Sequence, residues 1–229
     1  MLALQFNNVL DILENNLMAV RGVTDNIAHD LRTPLSHIRI GLEELAAKSP
    51  DEISEGCAIL TEELDHCLAT FDAMLSLTRI EEGQQTLDLQ ELSLAQLCTD
   101  LLEMADAVAE SNEQTLSLSL LSDHKIYGDK YLLFQALYNL VDNAMKYSGQ
   151  GARIDIIQSG AQIKICDNGP GIPDDSKERV FERLVRLDPS RHLQGTGLGL
   201  SMVKAILSRH NAQITLSDNH PGLVVTIQF

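Results

Sequence analysis

Asn139-Leu140-Val141-Asp142-Asn143-Ala144-Met145-Lys146-Tyr147 is the stretch on which the reading of this chain turns. It lies in Asp129–Tyr147, which reads as one helix, so Asn139 and Asn143 stand one turn apart and their amide oxygens share a face. Such a pair can hold Mg²⁺ through a direct contact while the metal keeps waters and phosphates as its other ligands. Lys146 is placed to reach a phosphate, and Tyr147 offers a ring for a base. Two asparagines on a helix are more often caps or surface groups, so the flanking sequence has to carry the case.

On the N-terminal side, Thr86–Leu89, Thr115–Leu120 and Lys125–Tyr127 read as strands, with a helix near Leu94–Ala109 between the first two. On the C-terminal side, Arg153–Gln158 and Gln162–Cys166 read as a hairpin around Ser159-Gly160. Gly197–Arg209 then reads as a helix, and Gln213–Ser217 and Leu223–Gln228 as strands. Helices mixed with antiparallel strands predict an α+β two-layer sandwich over residues 84–229. Two glycine-bearing segments interrupt it. Asp167-Asn168-Gly169-Pro170-Gly171-Ile172-Pro173 is a tight turn that permits close backbone approach. Gly195-Thr196-Gly197-Leu198-Gly199-Leu200 opens an apolar helix, and free amides at a helix N-terminus form an anion site. The run Ser190–Gln194 before it is polar, not the strand a dinucleotide fingerprint requires, and a Walker lysine is missing.

The first part of the chain is different. Phe6, Leu10, Leu13, Leu17, Val20, Thr24, Ile27 and Leu31 alternate spacings of four and three, the seam of a coiled coil or bundle helix. Pro34 interrupts it; Ile38 and Leu45 continue it. Ser49-Pro50-Asp51 reads as a turn and cap before a second seam of Ile53, Cys57, Leu60, Leu64, Cys67, Phe71, Met74 and Thr78. Two such helices make an all-α hairpin, and a lone hairpin cannot bury both faces, so a dimer of four helices is the simplest completion. Glu81-Glu82-Gly83-Gln84-Gln85 reads as a linker. On the first seam His29 falls at f, pointing away from the bundle axis. Asp30 beside it can accept the Nδ1 proton and leave Nε2 free as a nucleophile. Thr33 lies on the same face, and Pro34 removes the helical hydrogen bond to the Asp30 carbonyl.

Composition narrows the class. Hydrophobic residues at 44% and charged residues at 22% describe a globular chain. A net charge of −16 with only 17 Lys plus Arg, none in a run, argues against nucleic acid as a partner. Cys57, Cys67, Cys98 and Cys166 have neither metal-ligand nor disulfide spacing and are expected to be small buried hydrophobes in a reducing compartment. No stretch approaches the ~18 apolar residues of a membrane span. The seam is already running at Leu2, so the expectation is a start inside a longer helix, with a membrane-bound sensor region N-terminal to it.

Four motifs in the order His, Asn, Asp/Gly, Gly-rich resemble the sensor histidine kinase family over essentially the whole chain. His29-Asp30-Leu31-Arg32-Thr33-Pro34-Leu35 resembles its H-box and Asn139–Tyr147 its N-box. Asp167–Gly171 and Gly195–Gly199 resemble its two glycine boxes. Val180-Phe181-Glu182-Arg183 resembles its F-box, with Arg186 and Arg191 nearby. Phe6–Leu17 is similar to the signalling helix that follows a HAMP module. The resemblance implies a signalling helix over 1–20, a homodimeric phosphotransfer domain over 21–83 and a Bergerat (GHKL) ATP-binding domain over 84–229. It implies autophosphorylation of His29 with Asp30 as base, transfer to an aspartate of a response-regulator receiver domain, and phosphatase action in which Thr33 aligns water. ATP and Mg²⁺ are the implied cofactors. Asp167 would bind the adenine amino group, Asn143 the Mg²⁺ with Asn139 beside it, and Lys146 and the Gly195–Gly199 amides the phosphates. Tyr147, Gly169, Gly171, Arg186, Arg191, Thr196, Gly197 and Leu198 would complete the nucleotide site. The expected setting is the cytoplasmic portion of a bacterial inner-membrane protein. Leu184 stands where an aromatic is common, and Gln194 where a glycine is common. ATPases of the same nucleotide fold carry a glutamate where this chain has Asn139, so water activation lacks its carboxylate. The remaining alternative is a dimeric scaffold or phosphatase with weak kinase activity.

Overall fold

The computed structural model describes residue 40 and residues 50–187 and 196–229. His29, Asp30, Thr33, Arg191 and Gly195 lie outside the described residues. The chain divides into two compact units between Thr78 and Arg79.

Helix α1, Pro50–Glu81, begins with proline at its first position, where a missing N–H costs nothing. Of the second seam, Cys67 and Met74 are buried, while Leu64 is 41% exposed and Leu68 beside it 53%. Those exposed leucines are a surface that a single chain leaves uncovered.

The second unit is built from β1 (Leu89–Ser93), α2 (Leu94–Ser111), β2 (Thr115–Ser122), β3 (Lys125–Asp129), α3 (Lys130–Ser148), β4 (Arg153–Ser159), β5 (Gln162–Asp167), α4 (Gly199–Arg209), β6 (Gln213–Asp218) and β7 (Leu223–Gln228). Two short 3₁₀ turns, Asp174–Ser176 and Arg179–Phe181, follow β5. A five-stranded sheet has the order β2-β4-β5-β7-β6, so the last strand in sequence sits inside the sheet between β5 and β6. The β2–β4 pair is parallel and the other three pairs are antiparallel. In register, Ile156 faces Ile165, Ile165 faces Val225 and Ile163 faces Ile227, and all are buried. The helices bring Leu97, Cys98 and Leu101 from α2, Leu133, Ala136, Leu137 and Leu140 from α3, and Val203 and Ile206 from α4, each buried at helical spacing. This is the two-layer sandwich expected.

Two readings change. The first strand is Leu89–Ser93, not Thr86–Leu89. It lacks β-branched residues and is defined by its partner β3, with Glu91 opposite Tyr127 and a Glu91–Lys125 ion pair of 2.8 Å. The cysteines are not uniformly buried: Cys57 is exposed and Cys166 half-buried, whereas Cys67 and Cys98 are buried. Burial pushes the Cys98 thiol up to about 12.

Helix starts are tied by carboxylates. Ser93 Oγ accepts from Gln96 N and donates to Asp123 Oδ1, which also accepts from Ala95 N at 3.1 Å. Those hydrogen bonds, first that from Ala95, hold the Asp123 carboxyl below its usual range. Gln96 and Lys130 do the same for Asp100, and Lys177 for Asp218. Groups with depressed folded values bind fewer protons folded than unfolded. Their stabilisation is therefore present above the ordinary value near 3.8 and lost as pH falls through the lower folded values. The thermal midpoint, followed by circular dichroism, should fall modestly below about pH 4, because these carboxylates are exposed. Asp123→Asn should lower it at pH 6 and flatten that acid limb.

Candidate nucleotide site

The site begins with the helix that carries the asparagines. Asp129 caps α3, its Oδ1 accepting from Leu132 N at 3.1 Å and its Oδ2 from Asp88 N at 3.0 Å. His210, at the end of α4, fixes the same cap: its Nε2 accepts from Asp129 N at 3.0 Å, and Nδ1 donates to Ile206 O at 2.8 Å. With Leu137, Leu140, Val141 and Ala144 buried, α3 keeps Asn139 and Asn143 on its half-buried side, with Asp142 beside them. Lys146 is exposed and pairs with Asp142 at 2.6 Å, so reaching a phosphate means exchanging partners. Tyr147 is exposed at the end of the helix.

Asp167 closes β5 and is buried. Its Oδ1 accepts from Gly169 N at 2.9 Å and Leu223 N at 3.2 Å, and its carbonyl accepts from Asn219 Nδ2 at 2.7 Å. These contacts fix the carboxylate plane while Oδ2 takes neither amide, which suits it to receive an exocyclic amine. Gly169 passes close to the end of α3, where a β-carbon would meet Ser148 Cα at 2.9 Å, and Gly171 faces the Gly222 carbonyl. Sequence reasoning missed Asn219 and Gly222. The turn signal Asn219-His220-Pro221-Gly222 was there to be read, but its contact with Asp167 spans more than fifty residues.

Gly222 has φ +114, and a β-carbon on it would lie 1.9 Å from the Asp167 carbonyl oxygen. Gly222→Ala must therefore move the strand end that positions Asp167. A cost of roughly 3 kcal/mol is expected, a fall of about 6–12 °C in Tm for a unit of this size. Calorimetry of the variant checks it; a midpoint equal to the parent's would show that the turn yields freely.

The second glycine segment approaches α3 from the other side. α4 starts at Gly199 and no side chain caps it, so its first amides are open to an anion. Thr196 Oγ1 accepts from Leu198 N at 3.3 Å, and Leu198 is buried. A β-carbon on Gly199 would be 3.6 Å from Asn143 Nδ2, which places the open helix end against the asparagine. Gly197 takes φ +70 and a β-carbon there would strike Leu184 Cα at 2.9 Å, so the two backbones touch. Leu184, itself at φ +61, donates its N–H to Gly197 O at 3.0 Å. Arg186 is exposed on the segment after the second 3₁₀ turn.

The structure thus brings Asn143 to Gly199, and Asp167 with Gly169 to the end of α3. An open helix N-terminus, an oriented carboxylate and a neighbouring amide fit a nucleotide with its divalent ion. A divalent ion at this place would take the Asn143 amide, phosphate oxygens and waters as its ligands.

Comparison with known proteins agrees. Residues 19–83 match the His Kinase A (phospho-acceptor) domain, and residues 128–229 match the histidine kinase-, DNA gyrase B- and HSP90-like ATPase family. The histidine protein kinase SaeS of Staphylococcus epidermidis is 30% identical over 239 residues, covering 99% of this chain and 68% of that protein. The adaptive-response sensory kinase SasA of Rippkaea orientalis is 35% identical over 202 residues, 82% of this chain and 52% of its own length. Among solved structures, the Acinetobacter baumannii histidine kinase AdeS shares the fold with a TM-score of 0.69 at 24% identity, covering 88% of this chain and 96% of that one. The mycobacterial sensor histidine kinase MprB has a TM-score of 0.52 at 26% identity, over 61% of this chain and 95% of that one. The chain therefore belongs to the sensor histidine kinases of two-component signalling, ATP-binding phosphotransferases.

Proposed function

We propose that this chain transfers the γ-phosphoryl group of ATP to Nε2 of His29 and then passes it to an aspartate on a response-regulator receiver domain. The observation that carries the reading is the meeting of the open α4 N-terminus with Asn143, on a helix whose far end packs against Gly169 next to Asp167. Adenine would be held by Asp167 beside Tyr147. Phosphates would be held by the Gly195–Gly199 amides and Lys146, with Arg186 and Arg191 nearby. Mg²⁺, bound through Asn143 with Asn139 one turn away, would offset the charge on the phosphates. As the new P–N bond forms, the bond from the γ-phosphorus to its bridging oxygen breaks and ADP leaves. Attack makes the ring cationic at Nδ1–H, and Asp30 then accepts that proton, leaving a neutral phosphohistidine. Thr33, one turn beyond His29, would place water for dephosphorylating the regulator.

The exposed Leu64 and Leu68 on α1 support a homodimer through the helical hairpin. ThkA, which has the same fold (TM-score 0.73, 20% identity, 94% of this chain and 63% of that one), was solved in complex with a response regulator protein, TrrA. No described helix is long and apolar enough to cross a membrane, and attachment to one would run through the N-terminal signalling helix. The test is incubation with γ-labelled ATP and Mg²⁺, followed by a purified receiver domain. Label should appear on the chain, resist base, hydrolyse in acid and move to the receiver. Label absent under conditions where ATP binds would leave only a nucleotide-binding scaffold.

A further inference from the structure

The turn that ends α1 is held more firmly than a linker requires. Gly83 N donates to Ile80 O, and Gln84 N and Gln85 N both donate to Arg79 O. The Arg209 guanidinium, from the end of α4, spans this turn, with Nη1 donating to Ile80 O at 2.9 Å and Nη2 to Gln85 O at 3.2 Å. A cation on the last carbonyls of a helix is favourably placed. All these residues belong to the second unit.

A second tie leaves the same turn in another direction. Glu81, the last residue of α1, pairs with the Arg183 guanidinium. Arg183 is followed by Leu184, whose N–H bonds Gly197 O and whose Cα leaves no room for a side chain on Gly197. Two residues on, Gly199 lies against Asn143. Three direct contacts therefore connect the end of α1 to the asparagine face: Glu81 with Arg183, Leu184 with Gly197, and Gly199 with Asn143. The ion pair is about one-third exposed on both sides, at 32% and 38%, so its contribution to global stability is small. Its value lies in where it holds the Leu184–Gly197 contact.

We propose that Glu81 and Arg183 are positioning residues for the phosphate-binding segment Thr196–Gly199, and that ATP affinity depends on how the last turn of α1 is held. The inference rests on the ATP site proposed above. Without the pair, the segment before Leu184 loses its anchor and the phosphate amides occupy their binding position for a smaller fraction of the time. Apparent affinity falls by that fraction. Coupling is reciprocal, so a bound nucleotide must also tighten the turn at Gly83–Gln85.

Titration calorimetry of the full chain with a non-hydrolysable ATP analogue and Mg²⁺ tests this. Glu81→Gln and Arg183→Gln should each weaken binding roughly 3- to 10-fold. Tm should stay within about 2 °C, as expected of an exposed pair. The exchanged double variant, Glu81→Arg with Arg183→Glu, should recover most of the loss. Amide hydrogen exchange at Gly83–Gln85 should slow on adding the analogue to the parent, and slow less in Arg183→Gln. Unchanged affinity in both single variants, failure of the exchange to rescue, or nucleotide-independent exchange at the turn in a parent that binds would each overturn the proposal. A parent that does not bind the analogue would instead overturn the ATP site.

Discussion

Replacing His29 by glutamine is expected to abolish autophosphorylation and leave ATP binding intact. The residues proposed to bind nucleotide lie from Asn139 onward, within the matched ATPase-like region, whereas His29 lies in the matched phospho-acceptor region, so the variant would separate acceptor from donor. Glutamine approximates the polarity of imidazole but offers no basic nitrogen to attack phosphorus. The other histidines are poor substitutes where their surroundings are described. His210 has both ring nitrogens engaged, one accepting from Asp129 N and the other donating to Ile206 O. His124 and His220 are exposed in turns, His124 next to an acidic residue only through its backbone N–H. Signal on acid-sensitive gels should drop to background while calorimetry with an ATP analogue matches the parent. Retained base-stable label would assign the acceptor to another histidine.

The second large effect is expected at Asn143. Truncation to alanine removes the amide that faces the open start of α4 and would contact the metal. Both the divalent ion and the phosphate segment lose their reference point, and the loss falls on the step in which charge shifts between phosphate oxygens. Autophosphorylation should drop on the order of a hundredfold or more, with weaker nucleotide binding. Chelating Mg²⁺ from the parent should have the same consequence, and chelation should add little to Asn143→Ala. Independent effects of the two would place the metal elsewhere. His210 and Asp129 act on the same helix from its other end, so their variants should cost stability before they cost catalysis.

What was legible in the sequence was local. The buried stripe of α3, the glycines around Asp167 and the glycines before α4 each state their conformation within a few neighbouring residues. The hairpin at Ser159-Gly160 is likewise set by its own turn, with Ser159 opposite Gln162. What stayed hidden was long-range. Leu89–Ser93 becomes a strand because Lys125–Asp129 lies beside it, not through its own composition. The parallel pairing of β2 with β4 passes over β3 and α3, and no local pattern announces it. Arg209 reaches Ile80 across 129 positions, and His210 reaches Asp129 across 81. Chemistry of each residue type was visible; the partner it would meet was not.

The interior place of β7 has a consequence for how the protein is made. Its ladder partners are β5 on one side and β6 on the other, so neither half of that sheet region is complete until residues 223–228 are available. Leu223 also supplies one of the two amides that orient Asp167. During synthesis, α2, α3 and the β4–β5 hairpin can emerge from the ribosome and collapse with an open edge on β5, the kind of edge that invites pairing with other chains. The Asp167 carboxylate takes its full set of amides only when translation has passed Leu223. A nascent chain stalled before Leu223 should therefore expose its hydrophobic sheet face to chaperones and bind no nucleotide, however completely its earlier helices have formed.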